Sequence, residues 1–184
     1  MKRCGWMTCE EEVYYHDNEW GKPVHDDAVL FEFLILEGMQ AGLSWKIVLK
    51  RRKTMREAFD NFDPHKLAKY DDKKIDQLMT NPGVIRHRLK LEALKQNAIS
   101  FLEVQKEYGS FSKFIWSFTD NKTIVNSIES LVDIPIVSPE AQEMSKALKK
   151  RGFKFCGPTI CYAYMQAIGL VNDHMNWCDF KNIT

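Results

Sequence analysis

Arg151-Gly152-Phe153-Lys154-Phe155-Cys156-Gly157-Pro158-Thr159 is the stretch on which the fold turns. Upstream of it, Ser138-Pro139-Glu140 is a strong helix start, a capping hydroxyl followed by proline at the first helical position. The pattern then runs to Arg151, and Gly152 stops it. Downstream, Pro158 opens a second helix, Thr159 to Ile168, which Gly169 ends. Two helices are therefore joined by a short turn that carries glycine. The rest of the chain has the same character. Asp26 or Asp27 caps a helix reaching about Leu36, Ser44 caps one from Trp45 to about Phe59, and Asp63-Pro64 begins a short one. Asp71 to Met79 and Ile85 to Tyr108 have a helical period, Gly109 is a natural stop, and Ser110 caps Phe111 to Phe118. Residues 1–25 show no clean period, Asn121 to Val137 is irregular, and no run sustains period-two alternation. The expected fold is all-α, a single helical domain over residues 1–184, long enough to bury a core of its own.

Hydrophobic residues make up 45% of the chain and aromatics 12%, which places it among globular rather than disordered sequences. No apolar run approaches the roughly 20 residues that span a bilayer, and Met1-Lys2-Arg3-Cys4-Gly5-Trp6 leads straight into polar sequence. The expectation is a cytoplasmic protein with no membrane partner. Five cysteines is an odd number, and in a reducing compartment they are core thiols, metal ligands or nucleophiles rather than disulfides. The net charge of +1 conceals strong clustering. Positive charge gathers at Lys50-Arg51-Arg52-Lys53, at Arg86-His87-Arg88-Leu89-Lys90, and at Lys146, Lys149, Lys150, Arg151 and Lys154. Acid gathers at Glu10-Glu11-Glu12, Asp26-Asp27 and Asp71-Asp72. A near-neutral chain of this kind can still carry a basic face.

Residues 138–169 have the layout of a helix-hairpin-helix DNA-binding element. A glycine turn lets backbone N–H groups approach a phosphate, and the following helix N-terminus favours the anion. Lys149, Lys150, Arg151 and Lys154 add positive charge around Phe155, Gly157 and Thr159. Contacts of this kind position a protein on a nucleic acid without reading its sequence. A plain αα-hairpin with a glycine stop shares the local pattern.

A second stretch carries unusual chemistry: Leu36-Glu37-Gly38-Met39-Gln40-Ala41-Gly42-Leu43-Ser44-Trp45. It follows the apolar run Val29 to Leu36, and a carboxylate closing such a run is costly to bury without a partner. Two glycines loosen the backbone before Trp45 starts the next helix. An acid beside a large aromatic on a turn between helices suits a flat polar ligand; a solvated Glu37 and a core Trp45 are the bland alternative. At the chain ends, Cys4 and His16 face His174 and Cys178 in sequence. His174 and Cys178 stand four residues apart, so one helical turn can present both. Two cysteines and two histidines suit a closed, tetrahedral structural zinc that ties tail to head. Buried histidines with free thiols are the alternative. Cys9, Cys156 and Cys161 sit in apolar or hairpin contexts and read as packing residues.

Taken together, these residues resemble DNA-3-methyladenine glycosylase I, a bacterial family of base-excision enzymes in the helix-hairpin-helix superfamily. The resemblance rests on Arg3-Cys4-Gly5-Trp6, Tyr15 to Gly21, Leu36-Glu37 with Gln40 to Trp45, Ile85 to Arg88, Phe114 to Ser117, Ser145 to Gly157, and Gly169 to His174. It covers nearly the whole chain. It implies a helix-hairpin-helix glycosylase fold whose ends, residues 1–25 and 170–184, share one structural zinc on Cys4, His16, His174 and Cys178. It places the base pocket on Glu37, Tyr15, Trp45 and Trp6, the strand-probing loop on Gln40, Gly42 and Leu43, and the phosphate grip on the hairpin from Phe155 to Thr159. The implied activity is hydrolysis of the N-glycosidic bond of 3-methyladenine in alkylated double-stranded DNA. Water is the nucleophile, and an abasic site and free 3-methyladenine are the products of a monomeric enzyme. Glu37 is expected in base recognition first and in the chemistry second. Relatives of this superfamily that also cut the strand carry a lysine after the hairpin glycine; Pro158, Thr159 and Ile160 supply no such amine, which argues against covalent catalysis. Many superfamily members carry a catalytic aspartate beyond the hairpin helix, and Asp173 is the nearest here. Two other readings remain: a catalytically inactive helix-hairpin-helix DNA-binding protein with structural zinc, and a hydrolase using Cys178 or the metal.

Overall fold

A computed structural model describes residues 1–182; Ile183 and Thr184, the end of the expected zinc-binding tail, lie outside the described residues. The centre of the molecule is α2, Asp27–Gln40. The Asp26 carboxylate caps it by accepting from the backbone N–H groups of Ala28 and Val29. Every residue from Leu30 to Met39 is buried. A helix apolar on all sides must be surrounded, and α2 packs against α3 (Trp45–Ala58), α6 (Arg88–Tyr108), α7 (Phe111–Trp116) and α9 (Pro158–Ala167). One contiguous cluster of buried side chains joins these helices to α4 (Pro64–Leu67), α5 (Asp72–Thr80) and α8 (Pro139–Lys150). The expected helices are all present. The helix before Glu37 runs one turn further than its apolar run suggests, so Glu37 lies within α2 rather than beyond its end.

Two features escaped the sequence pattern. Residues 1–25 contain a helix, α1 (Glu10–Asn18), whose buried residues are Glu12, Tyr15 and His16. Its inner face is polar, so there is no apolar stripe to read. Glu10, Glu11 and Glu12 favour its N-terminus electrostatically, although Cys9 at the N-cap gives no side-chain cap. The irregular segment after α7 forms β1 (Ile124–Val125), paired in parallel with β2 (Val171–Asn172). An isolated bridge between Ile128 and Met175 and a hydrogen bond from Asn176 N–H to the Ile128 carbonyl (2.8 Å) extend this attachment. Two-residue strands are too short to display alternation. Their effect is to strap residues 124–128 to the C-terminal segment that holds His174 and Cys178.

Candidate active site and the buried cysteine–histidine cluster

Glu37 is only 2% exposed, and its Oε2 is buried without a hydrogen-bond partner. It lines a cavity of about 220 Å³ together with Trp6, Tyr15, Trp20, Gln40 and Trp45. The indole N–H groups of Trp6 and Trp45 are likewise buried and unpartnered. An unsatisfied buried polar group costs about 1–3 kcal/mol, and three of them around one cavity are the signature of a site shaped for a polar ligand. Burial alone raises the Glu37 pKa from 4.5 to about 8. Desolvation is the cause, so burial favours the protonated form of this acid. The aromatic walls are mutually braced. Tyr15 and Trp45 have ring centroids 5.2 Å apart, and Trp6 meets Trp20 edge-on at 5.3 Å. Behind Tyr15, Phe33 carries the Arg52 guanidinium 4.9 Å above its ring, and Arg52 is clamped by Glu19 (2.5 Å) and Glu32 (2.7 Å). Arg52, one of the expected surface cations, is therefore internal framework.

Four of the expected cavity residues, Glu37, Tyr15, Trp45 and Trp6, come together, and Gln40 joins them. Sequence reasoning missed Trp20, Leu131, Ile134, Ala163 and Gln166, which line the same cavity. Trp20 stood inside a quoted motif. Leu131 and Ile134 belong to a segment with no periodicity, and nothing local marks them. Gln166 is oriented by Asp173: its Nε2 donates to Asp173 Oδ2 at 2.7 Å. Tyr162 OH (2.8 Å) and Asn126 Nδ2 (2.7 Å) donate to the same carboxylate. Asp173 is completely buried with its acceptors occupied. Of its three hydrogen-bond partners, Gln166 lines the cavity.

Cys4, His16 and Cys178 are all buried, with their ligand atoms within 4.8 Å of one another. Cys178 Sγ is 3.6 Å from His16 Nε2, and His16 Nδ1 is 2.8 Å from Asp17 Oδ1, the kind of outer contact that orients a ligating imidazole. His174 packs edge-on against His16, with centroids 4.9 Å apart. Its Nδ1 faces Asn172 Oδ1 at 2.9 Å, while its Nε2 is buried with no partner. Burial pushes the Cys4 thiol up to about 12 and the His174 imidazole down to about 4. A buried histidine with an unpartnered nitrogen, beside a Cys4 thiol whose burial opposes ionisation and a second thiol at Cys178, fits a metal of the zinc type. The cluster also supports the cavity: His174 packs on Trp20 (4.6 Å) and His16 on Trp6 (5.6 Å). Of the other cysteines, Cys156 and Cys161 are core residues as expected, whereas Cys9 is only half-buried.

The hairpin between α8 and α9 is held from beneath. Asn97 of α6 accepts from Lys154 N–H (2.7 Å) and donates to the Lys154 carbonyl (3.2 Å), while Ser100 and Ser145 hold the carbonyls of Arg151 and Cys156. Phe155 adopts a positive φ of 54°. Gly38 makes room for it: a Cβ there would lie 3.3 Å from the Phe155 Cβ. Gly38 is thus a helical residue of close approach, not a loosened one, and it seats the hairpin one residue from Glu37. A Cβ at Gly157 would meet nothing within 4 Å, so the protein's own packing does not call for glycine there. Lys149, Lys150, Lys154, Pro158 and Thr159 are exposed. Arg151 is not part of this charge. It is held by Tyr108 OH (2.7 Å) and Glu107 (3.1 Å) and lies over the Phe114 ring. The loop after α2 exposes Gly42 and Leu43 and leaves Gln40 partly covered. Lys90, also expected on a basic surface, is buried and donates to the carbonyls of Met39 (2.8 Å) and Ala41 (2.6 Å), pinning that loop.

The sequence matches the family described as methyladenine glycosylase over residues 6–182. The chain belongs to the methyladenine glycosylase family. It is 52% identical over 181 residues to the DNA-3-methyladenine glycosylase of Haemophilus influenzae, covering 97% of each chain. It is 47% identical over 180 residues to DNA-3-methyladenine glycosylase 1 of Escherichia coli, covering 97% of this chain and 96% of that one. Its fold superposes with a TM-score of 0.95 on a crystal structure of a variant of 3-methyladenine DNA glycosylase I in complex with 3-methyladenine. The two chains are 39% identical, and the match covers 98% of each. Among methyladenine glycosylases, then, the aromatic cavity around Glu37 and the buried cysteine–histidine cluster are features of this chain's own geometry.

Proposed function

We infer that this methyladenine glycosylase hydrolyses the N-glycosidic bond of 3-methyladenine in alkylated DNA, and that the cavity around Glu37 receives the extruded base. The observation that carries the pocket assignment is the unpartnered Glu37 Oε2 within an aromatic cavity. Alkylation at N3 makes the base cationic within the nucleotide. Extrusion into the cavity brings that cation against the faces of Tyr15, Trp6 and Trp45, a cation–π environment. Entry of the cation favours the carboxylate over the acid, the acid's proton passing to water, and the carboxylate accepts hydrogen bonds from the N–H groups of the base. A normal adenine carries no charge to offset that deprotonation and is held less well. The C1′–N bond then breaks with its electron pair leaving on the base, which departs neutral. Water adds to the oxocarbenium-like C1′ and loses a proton, leaving an abasic site. Pro158, Thr159 and Ile160, directly after Gly157, supply no amine, which supports a monofunctional reaction.

The hairpin, with Lys154, Pro158 and Thr159 exposed and Phe155 and Gly157 half-buried, is suited to the phosphate backbone through the N-terminus of α9. Gln40, Gly42 and Leu43 are suited to the gap that the extruded base leaves. Three of the four expected ligands, Cys4, His16 and Cys178, converge, and His174, outside that set, has its unpartnered Nε2 buried and its ring against His16; this supports one structural zinc, which when bound would cross-link the two ends of the chain.

Base release from methylated DNA, resolved by chromatography, tests the reading. The wild-type protein should release 3-methyladenine. Glu37→Gln should cut release about 10- to 100-fold, the value of a hydrogen bond to a charged group, with affinity for undamaged duplex unchanged. Equal losses in both assays would remove Glu37 from the pocket chemistry and favour a general DNA-binding role.

A further inference from the structure

Three residues of the base cavity's lining offer the ligand no polar side-chain atom. Among the residues lining it, Leu131, Ile134 and Ala163 alone are hydrocarbon throughout. Glu37, Gln40, Gln166, Tyr15 and the tryptophans each bring a donor or an acceptor. An N3-alkylated adenine exceeds adenine by one hydrocarbon group. The rest of its edge is largely ring nitrogen and N–H, which lose hydrogen bonds if pressed against hydrocarbon.

The segment that carries Leu131 and Ile134 is also fixed in place. The turn Leu131–Asp133 starts at a reciprocal cap, with Asp133 accepting from Ser130 N–H and Oγ, both at 2.8 Å. The Trp177 indole N–H donates to the Glu129 carbonyl at 3.2 Å. Ile128 is bridged to Met175, and Ile134 packs against the core. A turn capped within itself, attached through residues 128–129 and packed on the core at Ile134, resists displacement by a larger group.

We propose that Leu131 and Ile134, with Ala163 from α9, receive the N3-alkyl substituent and set its length limit at methyl. The proposal rests on the pocket assignment above. It makes the 131–134 turn, which lies outside every recognised motif, a specificity element of the reaction.

The test uses two DNA substrates, one methylated and one ethylated, and compares kcat/KM for release of 3-methyladenine and of 3-ethyladenine. One methylene in an apolar pocket is worth about 10- to 200-fold in discrimination, so the wild-type ratio should exceed about 10. Leu131→Ala and Ile134→Ala should each lower the ratio about tenfold by raising 3-ethyladenine release. Leu131 is 47% exposed, so its truncation leaves no core cavity. Val132→Ala, at a residue 91% exposed and outside the cavity lining, is the control and should leave the ratio unchanged. Competition by free 3-methyladenine and free 3-ethyladenine gives the same ratio as binding constants, independent of turnover. Ratios within about twofold of wild type in both truncations, even with overall activity reduced, overturn the proposal. Wild-type protein that releases neither base overturns the glycosylase reading beneath it.

Discussion

At the scale of single residues, Glu37 holds the most information. Its burial without a partner raises its pKa from 4.5 to about 8. Between those values the folded protein keeps a proton that the unfolded chain has released, so folding is favoured by acid and disfavoured by base across the window. The stability contributed in this way is complete below about 4.5 and is lost as the pH rises through about 8. Glutamine at this position cannot titrate. The thermal midpoint of the wild-type protein, relative to that of Glu37→Gln, should therefore fall steadily with rising pH over this range. Parallel midpoint curves for the two proteins would mean that Glu37 is already ionised when the pocket is empty.

At the scale of elements, the site depends on how α2 and the hairpin meet. Gly38 follows the pocket acid and touches the hairpin at Phe155. Alanine is the better helix former by about 1 kcal/mol, yet its methyl group would press on Phe155 at 3.3 Å. Gly38→Ala should therefore keep the fold, as judged by circular dichroism and the thermal midpoint, while displacing the hairpin. Affinity for duplex DNA should drop about tenfold, equivalent to a loss of about 1.4 kcal/mol. Unchanged DNA affinity would show that the register between α2 and the hairpin is unimportant for binding. The loop after α2 follows the same logic. Lys90 lies about fifty positions away in sequence, yet its ammonium group pins the carbonyls on either side of Gln40.

At the scale of the whole molecule, the two ends of the chain make one structure. Cys4 and His16 meet Cys178, and the C-terminal segment in turn straps residues 124–128 and, through Trp177, the start of the cavity wall. Trp6 and Trp20 rest on His16 and His174. A metal joining these ends would therefore stabilise the aromatic walls and the 131–134 turn together. Metal analysis of the purified protein should give about one zinc per chain. Removal by a strong chelator should lower the thermal midpoint and reduce base release, with recovery on adding zinc back. A metal-free sample with unchanged midpoint and full activity would leave the cluster as buried thiols and imidazoles.

The sequence by itself determined those features whose physics is local. The caps at Asp26, Asp63, Asp71, Ser110 and Ser138 and the stop at Gly109 fix the helices, because a cap or a stop acts within one turn. The hairpin was legible from its glycines and proline, and the terminal cluster from its unusual residue types. α1 was not legible, because its buried face is polar. Nor was the sorting of the cations, in which Arg52, Lys90 and Arg151 turned inward to partners distant in sequence while Lys149, Lys150 and Lys154 stayed outside. The burial that raises the Glu37 pKa, the orientation of Gln166 by Asp173, and the apolar lining from Leu131 and Ile134 were decided by tertiary structure alone. Burial and pairing depend on what the rest of the chain brings within a few ångströms, and no local pattern records that.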